Sequence, residues 1–339
     1  MLGRERAGPL PGPRVRQDNG AVAATGSLHV IVGAGPVGVA LATRLVGEGH
    51  RVRILTRTGG DGGVAGVEAV AVDASDTAAL SARAEGAVAL YNCANPGAYG
   101  TWERVWPPLA ASILTAAERS GAVLVTASNL YGYGPVDAPM TRRTPLRPTD
   151  HKGVLRARLW AEALRAHEEG RVRAAEARAS DYIGPTLPTS SGLLPMYADA
   201  TLAGRPASVF ADPDQPHTWT VVEDVAATLA ALARDERAWG SAWIVPANPA
   251  RSVRDVLTEL GERVGLGEPR LRRVPRWVLR AGGLVVPLLR EVNGVLYQFD
   301  APFIADGAET SQRFGVVPTS WETMLDATAP AWRHRALER

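Results

Sequence analysis

The chain has 339 residues, of which 46% are hydrophobic, and this is enough to bury the core of one large domain or of a large domain with a smaller lobe. Its formal net charge of +2 is near balance, so the composition indicates neither a nucleic acid nor an acidic membrane surface as a partner. With Cys93 as the single cysteine it cannot form an internal disulfide, which predicts a cytoplasmic location.

Residues 1–27 are rich in glycine, proline and arginine and have no apolar periodicity, so we predict a disordered tail. The segment lacks the apolar run of a signal peptide, and no later run is long enough to span a bilayer. The sequence therefore predicts no membrane partner.

A strand, a glycine turn and a helix follow this tail. The apolar run 30–32 has the pattern of a buried strand, and an amphipathic helical pattern from Val39 ends at Gly49. The turn between them reads Gly33-Ala34-Gly35-Pro36-Val37-Gly38. A GxGxxG spacing between a strand and a helix predicts a dinucleotide site.

Each glycine of this turn has an expected role. Gly33 permits the sharp bend, Gly35 lets a pyrophosphate approach the backbone, and Gly38 lets the helix pack closely on the sheet. Pro36 and Val37 begin the helix, whose first N–H groups would bind the pyrophosphate. A glycine turn that binds nothing is the alternative.

The end of the second strand, Leu55-Thr56-Arg57-Thr58, carries no carboxylate. An NAD site commonly has Asp or Glu here for the ribose hydroxyls, whereas an arginine accommodates the additional phosphate of NADP. We therefore predict NADP as the cofactor, with Arg57 at its phosphate and with NAD as the alternative. No metal is expected.

Strands and helices alternate along the first half of the chain. Strand patterns at 67–72, 87–91, 123–125 and 172–177 predict a doubly wound parallel α/β sheet of the Rossmann type over residues 28–186. Asp73 follows the third strand of the chain and could reach the adenine. Residues 187–335 are predicted to form a smaller substrate-binding lobe with some segments returning to the main sheet. Helices are expected near 192–203, 223–235, 252–265, 275–290 and 319–329. The helix near 275–290 could lie on a membrane surface, but its short apolar run and Pro287 favour a packing helix.

Residues 28–335 resemble the short-chain dehydrogenase/reductase superfamily in its extended and atypical branches. The resemblance rests on the glycine turn, Asp73, Leu130-Tyr131-Gly132 and the segment 182–185. More closely, four segments look like an atypical subgroup of nucleoside-diphosphate-sugar-epimerase-like proteins: Asn92-Cys93-Ala94-Asn95-Pro96, Trp102-Glu103, Tyr131-Gly132-Tyr133-Gly134-Pro135 and His217-Thr218-Trp219. The resemblance implies that Asn92, Ala94, Asn95 and Tyr131 contact the cofactor.

The resemblance also implies a catalytic Ser or Thr, a Tyr and a Lys, and here the chain departs from it. The Tyr-x-x-x-Lys pair should begin the helix after the fifth strand, where Lys152 aligns with the tyrosine and Arg156 with the lysine. The hydroxyl residue's place holds Ala127, with Ser128 and Asn129 beside it. The usual proton relay is therefore absent as a unit.

Three roles for Lys152, the chain's only lysine, remain open. It could replace the tyrosine as proton donor, it could bind the cofactor's ribose or phosphate, or it could be an exposed lysine at a helix start. Arg156 stays protonated, so binding a cofactor phosphate or hydroxyl suits it better than proton transfer.

Other groups could exchange the proton. Ser128, Tyr131, Tyr133 and Tyr182 are candidates, and because Tyr131 more often packs under the cofactor in related sheets, Tyr133 and Tyr182 are preferred. Structural packing is the alternative for each tyrosine. Asp181 and Glu103 could each provide a general base, with capping or surface roles as alternatives.

Relatives that act on nucleotide sugars commonly have an arginine where this chain has His217, and a neutral imidazole attracts phosphate poorly. We therefore predict a small substrate other than a nucleotide sugar, with an apolar wall from Trp102, Trp106, Trp219 and Met196. The leading hypothesis is an NADP-dependent oxidoreductase acting on a largely apolar carbonyl or alcohol. A non-redox cyclase, dehydratase or isomerase and a non-catalytic NADP sensor are the alternatives, and a homodimer is compatible with each.

Overall fold

The structure is a computed structural model that describes residues 26–97 and 99–338. Of the tail predicted over residues 1–27, residues 1–25 lie outside the described residues. The strands are β1 (Leu28–Val32), β2 (Arg51–Thr56), β3 (Val67–Ala71), β4 (Ala87–Asn92), β5 (Val123–Asn129), β6 (Arg173–Ala179), β7 (Asp181–Ile183), β8 (Ala207–Val209), β9 (Trp219–Val221), β10 (Ser241–Ile244) and β11 (Leu271–Arg273). The helices are α1 (Pro36–Gly47), α2 (Thr77–Ala84), α3 (Trp102–Ser120), α4 (His151–Glu168), α5 (Leu193–Leu202), α6 (Val222–Arg234), α7 (Val253–Arg263), α8 (Arg276–Val285), α9 (Pro287–Val295), α10 (Tyr297–Asp300), α11 (Ala308–Phe314) and α12 (Trp321–Leu337).

Seven strands form one parallel sheet in the order β10-β6-β5-β4-β1-β2-β3. Residues of α1 and α6 pack in one hydrophobic cluster with the sheet, and residues of α2, α3 and α4 pack in another. Because helices cover both faces, the central strands are largely apolar, and every residue of β1 is buried, including His29. The predicted doubly wound α/β sheet of the Rossmann type is confirmed.

The strand order reverses between β1 and β4, since β2 and β3 extend the sheet to one side while β5, β6 and β10 extend it to the other. Loops diverge at such a reversal and leave a crevice at the carboxyl ends of the strands. The fold therefore places a ligand crevice beside the glycine turn that follows β1.

The second half of the chain contributes both to this sheet and to a smaller cluster of elements. Strand β10 joins the sheet beside β6, whereas α5, α7 and α12 pack on one another near the two-stranded sheets β8–β11 and β7–β9. The predicted helix near 319–329 continues to Leu337, and Pro330 lies inside it.

The single helix predicted near 275–290 is in fact two helices. Pro287 occupies the first turn of α9, where its missing N–H costs nothing, so a new helix begins there. Leu279 is buried, but Trp277 and Leu284 are 72% and 88% exposed, so α8 packs through only part of its apolar surface. None of the helices in the described ranges is long and apolar enough to cross a membrane.

Asp224 links α6 to the segment before α12, and we expect it to make stability depend on pH. It is 4% exposed and accepts hydrogen bonds from the Thr319 N–H at 2.9 Å and from the Thr319 hydroxyl at 2.7 Å. Burial raises the pKa of this carboxyl to about 6. The native state thus holds the proton more tightly than the unfolded chain, so the contribution is complete below pH 3.8 and is lost as the pH rises through about 6. The free energy of unfolding should therefore fall by roughly 3 kcal/mol as the pH rises from below 3.8 to above about 6. In Asp224→Asn this fall should be absent. Urea unfolding of both proteins across this pH range measures the difference. Parallel pH curves for the two proteins would contradict it.

Candidate functional site

The glycine turn at the start of α1 has the geometry of a dinucleotide-binding loop. Gly33 has a φ of +105°, and a Cβ there would lie 2.8 Å from the Cys93 carbonyl oxygen. A Cβ on Gly38 would lie 2.0 Å from the Gly33 carbonyl oxygen, so helix and turn are in backbone contact. Among the residues that the structure describes, a Cβ on Gly35 would meet no atom within 4 Å, and no side chain caps the first turn of α1. The space in front of this helix terminus is therefore open to an anion.

A cavity of about 220 Å³ extends from this terminus across the carboxyl ends of the neighbouring strands. The turn and the residues directly after β4 contribute Gly35, Pro36, Val37, Cys93, Ala94 and Asn95 to its lining. The start of α3 and the segment before it, the end of β5 and the residues after it, α4, β7 and the second half of the chain contribute further residues, including Tyr99, Trp102, Ser128, Asn129, Tyr131, Arg156, Asp181, Tyr182, Leu187 and Gln298. The predicted cofactor turn and several predicted catalytic residues thus share one cavity.

Three of the five predicted catalytic residues line this cavity: Ser128, Asn129 and Tyr182. The Asn129 side-chain oxygen accepts a hydrogen bond from the Tyr131 N–H at 3.1 Å, which fixes the turn after β5. Burial raises the pKa of the Tyr182 phenol to about 12, and the nearby Arg156 opposes this rise. Tyr182 therefore stays protonated near neutral pH and can donate a hydrogen bond.

Tyr133 lies behind the cavity wall. It is 1% exposed, and its hydroxyl accepts a hydrogen bond from Arg178 Nη1 at 2.9 Å, while Arg178 Nε donates to Glu176 at 2.6 Å. Burial raises the pKa of its phenol. These contacts tie the segment after β5 to β6.

Lys152 is also away from the cavity wall. Its side chain is 1% exposed, and Nζ donates to the Glu291 carbonyl oxygen and to Glu291 Oε2, each at 3.0 Å. Nζ lies 4.0 Å from Asp150 Oδ1 and 5.1 Å from the centre of the Tyr99 ring. The alternative of an exposed lysine is wrong, because α9 covers this side chain.

Arg156 is the cation of the cavity. Its guanidinium stacks on two indole rings, with Cζ 4.2 Å from the Trp106 centroid and 5.1 Å from that of Trp102. Burial lowers the pKa of this group. Its Nε is buried without a hydrogen-bond partner, and none of the ion pairs in the described part of the chain includes it. Because Arg156 lines the cavity, its guanidinium is suited to hold an oxygen ligand there.

The other predicted cofactor residues lie along the same edge of the sheet or just beyond it. Tyr131 lines the cavity, and its hydroxyl is 3.0 Å from that of Tyr99. Asn92 is buried and accepts a hydrogen bond from the Ala94 N–H at 3.3 Å. Arg57 and Asp73 are exposed beyond the cavity, and Asp73 accepts a hydrogen bond from the Ser75 N–H.

The predicted apolar wall is only partly present. Trp102 lines the cavity, whereas Trp106 and Trp219 are buried elsewhere in the core and Met196 is 37% exposed away from it. Cys93 lines the cavity as well, and burial raises the pKa of its thiol to about 12, so it stays a neutral packing group.

One pair of residues acquires its significance only in the structure. His217 Nε2 lies 3.0 Å from Asp181 Oδ2, and Asp181 lines the cavity. The sequence pointed to each residue separately, Asp181 as a possible base and His217 as a replaced arginine. Their contact could not be predicted from their positions.

Comparison with known proteins assigns the chain to a family. The sequence model of the "NAD dependent epimerase/dehydratase family" matches residues 29–243, more than half of the chain. The chain belongs to this family. The predicted resemblance to the extended branch of the short-chain dehydrogenases/reductases is thereby confirmed. Separately, no group of His, Cys, Asp and Glu suited to binding a metal occurs among the described residues.

Solved structures share the fold of this epimerase/dehydratase-family protein at low sequence identity. MoeE5 in complex with UDP-glucose and NAD is 19% identical with a TM-score of 0.73, and the match covers 92% of this chain and 100% of that one. The UDP-glucose 4-epimerase of Thermus thermophilus with NAD is 19% identical with a TM-score of 0.73, covering 90% and 99%. The dTDP-glucose 4,6-dehydratase DesIV of Streptomyces venezuelae with NAD is 17% identical with a TM-score of 0.73, covering 91% and 97%. A comparison with curated proteins finds no match by sequence.

Proposed function

We propose that this epimerase/dehydratase-family protein is an NADP-dependent oxidoreductase that moves a hydride to or from a small, largely apolar carbonyl compound or alcohol. The observation that carries the proposal is the open space at Gly35, beside an uncapped helix terminus and continuous with a cavity lined by hydroxyl groups. A bound nicotinamide dinucleotide would supply or accept the hydride at this edge of the sheet.

The residues present fit such a dinucleotide. The N–H groups of the first turn of α1 would hold the pyrophosphate, and Asn92, Ala94 and Asn95 would form the wall beside it. Arg156, whose guanidinium lines the cavity, would hold a cofactor hydroxyl or phosphate. Tyr131 would pack under the cofactor.

The lining of the cavity supports a largely apolar substrate. Trp102, Ala127 and Leu187 give it apolar walls. His217 is 1% exposed and paired with Asp181, so it cannot take the part of an arginine that grips a diphosphate. These features support a substrate other than a nucleotide sugar.

The substrate oxygen would be held by Tyr182, Ser128 and Asn129. Tyr182 would donate a hydrogen bond to the carbonyl oxygen, since its phenol keeps its proton near neutral pH. Ser128 and Asn129 lie on the same wall and would orient this oxygen. Tyr133 and Lys152 would each have to leave a buried partner to act on it.

The choice of NADP rests on Arg57, which is exposed just after β2. Arg57→Ala should weaken NADPH binding by roughly tenfold to a hundredfold and leave NADH binding nearly unchanged, because a charge-assisted contact to the extra phosphate contributes about 1.5–3 kcal/mol. Calorimetric titration with both dinucleotides would measure this. Arg51→Ala, an exposed arginine at the start of the same strand, serves as control. Equal losses for both cofactors would argue against a phosphate contact.

The direct test of the function is consumption of NADPH, followed by its absorbance, with a panel of small aldehydes and ketones. Binding of NADPH without any consumption across the panel would count against hydride transfer.

The absence of the Tyr-x-x-x-Lys pair favours a second candidate function, a non-redox cyclisation, dehydration or isomerisation. A product with unchanged mass, or lighter by one water, would support it. The cytoplasmic location and the homodimer stay predictions of the sequence.

A further inference from the structure

His217 is held in the core with both ring nitrogens at oxygen atoms. The ring is 1% exposed and stacks on Phe299 at a centroid distance of 4.4 Å. Nδ1 lies 3.1 Å from the Gln298 carbonyl oxygen, and Nε2 lies 3.0 Å from Asp181 Oδ2 and 3.4 Å from the Ser180 hydroxyl.

These contacts fix the number of protons on the pair. A backbone carbonyl oxygen only accepts hydrogen bonds, so Nδ1 of His217 must carry a proton toward Gln298. That proton leaves Nε2 without one in a neutral ring, yet Nε2 faces a carboxylate, which also only accepts when ionised. A second proton must therefore lie between Nε2 and Asp181 Oδ2, and the pair stores one exchangeable proton.

The stored proton lies beside the cavity. Asp181 is 26% exposed in its side chain and is the one carboxylate among the described residues that line the cavity. Its Oδ2 is engaged by His217, while no protein group in the described part of the chain donates to its Oδ1. One carboxylate oxygen is thus held in place and the other remains available to a ligand.

Four tyrosines lie near enough to feel the charge of this carboxylate. Burial, and to a lesser extent the negative charge of Asp181, raises the pKa of Tyr99 before α3, Tyr131 after β5, Tyr182 in β7 and Tyr297 in α10. The cation of the same cavity is Arg156 of α4. The imidazole of His217 is the titratable group in direct contact with the carboxylate.

We propose that Asp181 is the group that exchanges the substrate's proton. His217 is a positioning residue, which holds the Asp181 carboxylate in place and keeps it ionised. This deepens the proposed function and rests on it. In alcohol oxidation the substrate O–H bond breaks, its proton passes to Asp181 Oδ1, and its electron pair forms the second C–O bond of the carbonyl. A bound nicotinamide dinucleotide would accept the hydride from the same carbon, and in reduction Asp181 would return the proton to the substrate oxygen. The pair thereby replaces the missing Tyr-x-x-x-Lys unit.

Turnover and pH dependence test the exchange. With the best carbonyl of the panel, Asp181→Asn should lower kcat/KM about 100-fold or more and abolish the alkaline limb of the pH profile, because reduction requires the protonated carboxyl group. His217→Gln keeps a hydrogen-bond donor near the carboxylate but removes the positive charge of the imidazole. We therefore expect an intermediate loss of kcat/KM, and the limb of the pH profile that Asp181 causes should move to higher pH. Asp137→Asn, an exposed carboxylate outside the cavity, is the matched control. NADPH affinity and melting temperature verify that each variant is folded.

Nitrogen-15 NMR of the imidazoles tests the proton count without any substrate. Among the six histidines, one should show both nitrogens protonated at neutral pH and a proton far downfield. This signal should vanish in Asp181→Asn and in His217→Gln. A neutral His217 in the wild type, or an Asp181→Asn protein with turnover and pH profile within threefold of wild type, would overturn the proposal. A wild type that binds NADPH but consumes no carbonyl contradicts the proposed function instead, and the NMR result then decides on the pair by itself.

Discussion

Gly35→Ala should abolish tight NADPH binding while leaving the fold as stable as the wild type. The backbone φ of Gly35 is −75°, which any residue adopts, and a Cβ there would contact no atom of residues 26–97 or 99–338 within 4 Å. Stability should therefore change by less than about 0.5 kcal/mol. The added methyl group occupies the space in front of the α1 terminus, so at least one contact between a backbone N–H and the pyrophosphate is lost. A contact to a charged group contributes about 1.5–3 kcal/mol, and the Kd measured by calorimetry should rise at least tenfold.

Gly38→Ala is the matched comparison, because the same chemical change three residues later meets the backbone. Its Cβ would lie 2.0 Å from the Gly33 carbonyl oxygen, so turn and helix must separate. We expect a loss of about 1–3 kcal/mol in the free energy of unfolding, although alanine favours a helix by about 1 kcal/mol over glycine. Unchanged NADPH affinity in Gly35→Ala would show that the pyrophosphate binds elsewhere. Equal destabilisation by both changes would show that the space at Gly35 is not free.

Lys152→Met should destabilise the protein by about 3–5 kcal/mol, mainly by loosening α9. The ammonium group is buried, and its partner Glu291 is 11% exposed in its side chain, so removal of the cation leaves a buried carboxylate uncompensated. His151 Nε2, 3.2 Å from Glu291 Oε2, can compensate only when it is protonated. Chemical unfolding measures the loss, and hydrogen exchange of residues 287–295 should rise most.

The double variant Lys152→Met with Glu291→Leu separates the structural role from a catalytic one. Replacing both members of a buried ion pair with apolar groups is often nearly neutral, so the double variant should regain most of the lost stability. If Lys152 only anchors α9, turnover returns as well. A Lys152→Met protein of wild-type stability but without turnover would instead support the predicted role of Lys152 as proton donor.

The differences between these variants follow from the way the site is built. A side chain at Gly35 would meet open space among the described residues, whereas Lys152 Nζ contacts Glu291 and lies near Asp150 and the Tyr99 ring. The first position is therefore expected to govern affinity and the second to govern stability. The Asp181–His217 pair combines both kinds of contact, because one carboxylate oxygen faces protein and the other faces the cavity.

The sequence by itself determined the doubly wound sheet, the glycine turn and the edge of the sheet where the cavity lies. These features depend on residues that are neighbours along the chain: an apolar run gives a buried strand, and Gly33, Gly35 and Gly38 are spaced for one turn and one helix. Local backbone geometry and burial are enough to specify them.

Only the tertiary structure decided which side chains face the cavity. Lys152 contacts Glu291, which is 139 residues away in the sequence. His217 contacts the Gln298 carbonyl group at a separation of 81 residues and Asp181 at a separation of 36 residues. No periodicity or spacing encodes such contacts, because they depend on how α9, α10 and β9 pack against the carboxyl edge of the sheet. The same packing buries Tyr133 beside Arg178 and leaves Tyr182 at the cavity, although both tyrosines looked equivalent in the sequence.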